Sequence, residues 1–385
     1  MSKIKNLEKL ARRLVKAIGA KERIVLYADS DLDGTVALLI LREAILNLGG
    51  RIEKLYFSDR RREEPGLNKE ALERLKVAAP ALLVVLDCGI SNFEEARLAK
   101  KMGFEVVMIE HHEILDRLPE AAIIVNPKQN KKEETFYHLA TCGIVLRLAE
   151  ELLRGRLTRE LREDFLEMAS LATVADMVPE TGDNKNIIEE GLPLLESSWR
   201  PGLQVLLNSS VVEGCLSTRQ AVRKVINIVN ITDKDGDLSE LYWLLTASSL
   251  PEAEERFHRF LQKGAARQVE IEKWSDEFKK DLFLKIKNET IIFEGRADLP
   301  QPLLGTITSR LCDFFGKPSF IYKKTAKENV GHFRMPEGLS GIEALSRCAQ
   351  LLRRYGGHAP AGGFYFQEKD TLKLKQCLIK YFQKK

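Results

Sequence analysis

The chain has no Cys-x-x-Cys pair: its six cysteines stand alone at 88, 142, 215, 312, 348 and 377. That scatter argues against a zinc knuckle and against a disulfide framework, and it fits a reducing compartment. No apolar run approaches the roughly 18–20 residues that a membrane-spanning helix requires. The basic, helix-periodic opening (MSKIKNLEKLARRLVKAIGA) lacks an unbroken apolar core and a cleavage site, so it does not read as a signal peptide. A cytoplasmic protein is expected, with no membrane partner. Internal repeats and low-complexity segments are also missing, which removes solenoids and disordered tails from consideration. Charge of one sign is in small excess only: 60 Lys and Arg against 56 Asp and Glu give a net charge of +4. This permits nucleic-acid binding without requiring it.

What is present is the composition of a soluble globular protein, 44% hydrophobic and 30% charged, and 385 residues can supply two or three cores. Residues 23–125 alternate short apolar runs with helix-periodic segments. Strands are expected at Arg23–Ala28, Ile52–Phe57, Ala81–Leu86, Glu105–Ile109 and Ala121–Val125, with helices at Thr35–Leu48, Leu67–Ala78 and Asn92–Met102. Such alternation predicts a parallel sheet covered by helices on both faces, with ligands bound beyond the carboxyl ends of the strands. Phe136–Leu171 reads as helical, residues 185–250 as mixed, and Pro251–Lys287 as a long charged helix or helix pair acting as a connector. Strand-like sequence resumes at Thr290. The fold class is therefore α/β: a parallel-sheet domain over 1–250, a helical connector over 251–287, and a smaller α/β domain over 288–385.

Four segments carry chemistry. Asp29-Ser-Asp31-Leu-Asp33-Gly34 follows the first strand; three carboxylates at alternate positions suit a hard divalent cation, although an acidic turn or a calcium loop has the same composition. Asp87, in VVLDCGISN, ends another apolar strand, where a helix N-cap is the ordinary alternative. Glu110-His111-His112 follows EVVMI, and Asp176 ends an apolar helix in LATVADMVP, where it could equally be a cap. Three strands of one sheet thus deliver acidic or imidazole groups to one edge, and a helix brings one more carboxylate. Carboxylate-rich ligation with one or two histidines favours manganese or magnesium over zinc.

These segments resemble the motifs of the DHH phosphoesterases. DSDLDG is similar to the family's DxDxDG motif. LDCGISN, EHHE followed by VNPKQ, and LATVADMVP resemble the corresponding stretches of its RecJ branch, in the same order. Further on, LGTITSR (304–310), GHFR (331–334) and YGGHAPAGGF (355–364) resemble the DHH-associated C-terminal domain; a tight turn is the plain structural alternative for the last.

The resemblance implies a two-metal phosphodiesterase using Mn2+ or Mg2+. Asp29, Asp31, Asp33, Asp87, His111 and Asp176 would be ligands, and Asp33 or Asp87 would bridge the two ions. His112 would act at the reacting phosphate, with Asp87 and Asp33 also in the catalytic group. Arg310, Arg334, Gly356, Gly357 and His358 would hold the substrate backbone; arginine grips phosphate bidentately, and glycine lets backbone N–H groups approach it. The implied partner is single-stranded nucleic acid, DNA rather than RNA, degraded 5′ to 3′. The alternatives are an oligoribonuclease or cyclic-dinucleotide phosphodiesterase of the same superfamily, and a non-catalytic replication scaffold. In two places the sequence departs from the family pattern. Glu110 stands where the family has Asp, beside the histidine pair. Only 21 residues follow Phe364, where longer RecJ proteins continue into an OB-fold.

Overall fold

The structure, a computed structural model, describes residues 3–59, 66–114, 117–229, 233–283, 285–286, 289–326 and 328–383. It divides into two compact units, Met1–Gly264 and Ala265–Lys385.

In the first unit, strands β1 (Ile24–Ala28), β2 (Ile52–Phe57), β3 (Ala81–Leu86), β4 (Phe104–Ile109) and β5 (Ile123–Val125) form one sheet in the order β2-β1-β3-β4-β5. Every pairing is parallel. β1 and β3 are buried along their whole length, the pattern of a sheet covered on both faces. Alternate residues serve opposite faces. Leu26, Val84 and Val107 point into the larger core, which contains α1 (Leu7–Gly19), α2 (Leu32–Asn47), α5 (Thr141–Leu152) and α6 (Arg159–Ala175). Val25, Tyr27, Leu83, Val85 and Met108 meet α3 (Lys69–Leu75) and α4 (Phe93–Lys101) on the other face.

Two details of this unit depart from expectation. The helix placed from Thr35 begins at Leu32, because the Asp31 side chain accepts the Gly34 N–H at 3.0 Å and starts the helix early. Asp33 and Gly34 therefore lie in its first turn. Residues 185–250, read as mixed, are mostly helical: α7 (Gly182–Gly191), α8 (Pro201–Asn208), α9 (Thr218–Val229) and α10 (Glu240–Leu245), with a small antiparallel pair, β6 (Lys234–Asp235) and β7 (Leu238–Ser239).

The charged stretch after 250 forms one helix, α11 (Leu250–Phe283), and the division between units falls within it. Leu284 and Lys287, at the end of the helix expected from sequence, lie outside the described residues.

The second unit holds β8 (Ile292–Arg296), β9 (Ser319–Lys323), β10 (Asn329–Arg334), β11 (Arg354–His358) and β12 (Ala361–Phe366), ordered β11-β12-β10-β9-β8. β8 and β9 are parallel and the other pairs antiparallel. α12 (Leu304–Phe315) and the end of α11 cover one face, while α13 (Gly341–Arg347) and α14 (Thr371–Phe382) cover the other. The glycine-rich run is a hairpin closed by Ala359-Pro360, not a turn between helix and strand.

The cysteine expectation requires one correction. Cys348 and Cys377 are joined in a disulfide, with Cα atoms 6.1 Å apart. The two lie 29 residues apart with no motif between them; it is the packing of α13 beside α14 that brings them together. Among the described residues no helix is long and apolar enough to cross a membrane.

Candidate metal centre

Strand register builds the site. Ala28 pairs with Leu86, Leu86 with Ile109, and Ile109 with Val125, so the residues that follow stand in one row at the carboxyl edge. The ladder runs one step further: Asp29 N–H donates to Leu86 O (3.2 Å), Asp87 N–H to Ile109 O (2.9 Å), and Glu110 N–H to Val125 O (3.0 Å). Asp29, Asp87 and Glu110 are thereby held by backbone as rigidly as the sheet itself. Asp87 adopts the left-handed conformation (φ +60°), which costs a non-glycine residue on the order of 1 kcal/mol and is tolerated best by Asn and Asp. Backbone strain of this kind concentrates at functional sites.

Gly34 closes the first loop. A Cβ there would stand 2.4 Å from Asp29 O, so only glycine lets the first turn of α2 pack against the loop that carries Asp29.

The six side chains expected to be ligands converge within the first unit. Ligand atoms of Asp33, Asp87 and His111 all lie within 4.8 Å of one another, as do those of Asp29, Asp31 and Asp87. Asp87 belongs to both sets. His111 Nε2 is 3.4 Å from Asp87 Oδ1, 3.5 Å from Asp176 Oδ2 and 3.9 Å from Asp33 Oδ2. Asp176 reaches the cluster from the C-terminal cap of α6.

Five carboxylates this close, four of them at most 15% exposed, raise one another's proton affinity. Burial pushes Asp33 up to about 6, assisted by the charge of Asp31 and opposed by hydrogen bonds from Cys142 and Thr141. Burial also drives Asp87 well above the carboxylate range, and the charges of Asp33, Asp31, Asp176 and Asp29 add to it. A cation relieves such a cluster, and a donor set of carboxylate oxygens with one imidazole is the chemistry of Mg2+ or Mn2+. The residues fit the group.

Glu110 lies behind the histidine pair. Its Oε2 accepts the His111 and His112 N–H groups, both at 2.8 Å, and contacts His112 Nδ1 at 2.9 Å. Burial alone would raise Glu110, but the His112 charge and hydrogen bonds outweigh it and leave the carboxyl below its ordinary value. Burial would likewise depress His112, yet Glu110, with Asp176 and Asp29, pushes it up to about 9. Glu110 thus contacts both residues of the pair.

In the second unit, register separates the expected substrate residues. His332 pairs with Gly363 and Gly363 with Gly356; Arg334 pairs with Ala361 and Ala361 with His358. Directly paired residues share a face, so Arg334, Gly356 and His358 lie together on the face covered by α12. His332, missed in the sequence, belongs to the same group; a Cβ at Gly305 of α12 would stand 3.4 Å from its Nδ1. Arg310, also on α12, donates to Gln268 on α11 at 3.3 Å. Gly357 sits one register step away, paired with Gly362 on the opposite face, at φ +125°. A Cβ there would come within 2.5 Å of Gly362 Cα, so this glycine is demanded by the hairpin itself.

Comparison with known proteins follows the same lines. The model of the DHH family, N-terminal domain, matches residues 23–173. Residues 23–173 are thus similar to the N-terminal domain of the DHH family. The single-stranded-DNA-specific exonuclease RecJ of Bacillus subtilis is 28% identical over 378 residues, covering 97% of this chain and 47% of that protein. RecJ of Thermus thermophilus is 26% identical over 369 residues, covering 95% and 53%. The chain spans about half the length of these relatives. The crystal structure of an exonuclease RecJ bound to manganese superposes with a TM-score of 0.77 at 24% identity, covering 100% of this chain and 96% of that one. The chain shares the fold of that protein. The DHH-domain match takes in Asp29, Asp31, Asp33, Asp87 and both histidines, and stops three residues short of Asp176.

Proposed function

We propose that this protein is a divalent-metal-dependent phosphodiesterase that degrades single-stranded nucleic acid, DNA in preference, from the 5′ end. The observation that carries this reading is the pair of ligand sets sharing Asp87, through which that residue would serve two ions. The names of the relatives and the manganese bound by a protein of the same fold support it. Asp29, Asp31, Asp33, Asp87, His111 and Asp176 would hold two Mn2+ or Mg2+ ions. Such ions activate water and neutralise charge on a phosphoryl group.

The chain's own residues do the rest. Glu110 engages His112 Nδ1, which fixes the ring and leaves Nε2 as the atom that holds a proton for the leaving oxygen. Arg310, Arg334, His358 and the bare backbone at Gly356 would hold the phosphates of the strand. The cytoplasm is the setting this activity implies.

The test is a time course on 5′- and 3′-labelled single-stranded DNA and RNA with Mn2+, using wild type and Asp87→Ala. Mononucleotides released from the 5′ end of DNA, with at least about a 100-fold loss in Asp87→Ala, are expected. Full activity in Asp87→Ala would refute the assignment. A 3-mer and a 40-mer run side by side separate this reading from a small-oligonucleotide enzyme, which would cut only the 3-mer.

A further inference from the structure

Helix α5 begins without a side-chain cap of its own: Ala140 holds the N-cap position and can supply none. Its first N–H groups are instead satisfied by a carboxylate from another element. Thr141 N–H donates to Asp33 Oδ2 and Cys142 N–H to Asp33 Oδ1, each at 2.8 Å. Asp33 therefore caps α5 with both oxygens, drawn to the positive end of the helix dipole. The Thr141 side chain then turns to the other central carboxylate, its Oγ1 lying 2.9 Å from Asp87 Oδ1. Thr141 is fully buried, so water does not compete for that bond. One residue thus grips both innermost carboxylates, one through its backbone and the other through its hydroxyl.

We infer that Thr141 is a positioning residue for the metal centre: its hydroxyl sets the rotation of the Asp87 carboxylate and so the geometry with which Asp87 serves both ligand sets. The inference rests on the two-ion reading above. A carboxylate that holds a cation is ionised and only accepts hydrogen bonds, so the Thr141 hydroxyl is the donor. That commits one lone pair of Oδ1 to the protein and directs the remaining ones into the cluster. Without the hydroxyl, Asp87 could turn about its Cβ–Cγ bond between sets that demand different directions. Hydrogen bonds that orient ligands in this way are commonly worth about 10–100-fold in metal affinity or activity.

Direct Mn2+ binding to the full chain, read by EPR of the free ion, tests the assignment without relying on turnover. Thr141→Val keeps the shape and the backbone bond to Asp33 but removes the donor, while Thr141→Ser restores it. Wild type and Thr141→Ser are expected to bind two ions with similar affinities, and Thr141→Val to bind at least one of them about 10–100-fold more weakly. Should the valine variant fail to fold by circular dichroism, Thr141→Ala against Thr141→Ser reads the same hydroxyl. Equal affinities for the hydroxyl-bearing and hydroxyl-free variants would overturn the role of Thr141 alone. Failure of wild type to take up Mn2+ would overturn the metal-centre reading and this inference with it.

Discussion

Individual side chains in the first unit are balanced against burial in ways that pH exposes. Glu167, on α6 and 3% exposed, accepts a hydrogen bond from Ser198 Oγ at 2.8 Å. Burial raises its carboxyl to about 7; the Ser198 bond pulls the other way, and the charge of Asp164 adds to the rise. A carboxyl raised from about 4.5 in the unfolded chain to about 7 in the fold binds a proton on folding. Its contribution is therefore present below about pH 4.5 and is lost as pH rises through 7. Glu167→Gln, which keeps an acceptor for Ser198 but never ionises, should stabilise the protein at pH 8 by on the order of 2 kcal/mol and make little difference at about pH 4. Urea denaturation of both proteins at the two pH values checks this; a stability difference that ignores pH would refute it. Asp33 and Asp87 show the same cost of burial even though Thr141 and Cys142 donate hydrogen bonds to them, and this is why the cluster calls for a cation.

At the level of elements, the second sheet sets apart two adjacent glycines that look alike in sequence. Gly357→Ala would drive a methyl into the β12 backbone, 2.6 Å from Ala361 O, at a φ that alanine disfavours. It should cost about 2 kcal/mol or more and loosen the hairpin. Gly356→Ala meets nothing within 4 Å, so stability should be nearly unchanged. The new methyl lies on the face shared with His332, Arg334 and His358, and it should raise KM for single-stranded DNA while sparing kcat. Thermal melts and steady-state kinetics on the pair separate hairpin geometry from substrate contact; equal stability losses would remove the distinction.

The same level shows how much could be read in advance. The five strands of the first sheet were legible because each is a short apolar run bounded by helix-periodic sequence, and the residues proposed as ligands stood out because most closely follow those strands, while Asp176 ends an apolar helix. The start of α2 was not, since it depends on the Asp31 side chain folding back onto Gly34 N–H, a bond no periodicity announces. Thr141 escaped for a related reason. It opens a helix 108 residues from Asp33, and only the packing of α5 on α2 brings them together. His332 lies within the GHFR stretch, but only register, which aligns it with Gly363 and Gly356, groups it with the expected substrate residues. The Cys348–Cys377 bond, spanning 29 residues and without a spacing motif, is likewise a product of tertiary packing.

For the whole molecule, the chemistry divides unevenly between the two units. Every carboxylate of the cluster belongs to Met1–Gly264, whereas Arg310, His332, Arg334 and His358 belong to Ala265–Lys385. Metal and nucleic acid should therefore leave different footprints. Binding to the native state alone stabilises it by about 2.7 kcal/mol per ion at roughly 100-fold excess over Kd, and amides in the liganded unit then open less often. Hydrogen exchange with saturating Mn2+ should slow at Asp29–Thr35, Asp87–Gly89, Glu110–His112 and Thr141–Cys142, and leave β10, β11 and β12 unchanged. Adding a single-stranded DNA oligonucleotide to Asp87→Asn, which keeps an acceptor for Thr141 and a residue tolerant of left-handed φ but should not turn over, should then protect Gly331–Arg334 and Arg354–His358. Protection of β10–β12 by Mn2+ alone, or none anywhere on adding DNA, would contradict this division of labour. Protection confined to the Asp–His edge by the metal, followed by protection of the glycine-lined face by the strand, would follow from where the chain keeps its carboxylates and where it keeps its arginines.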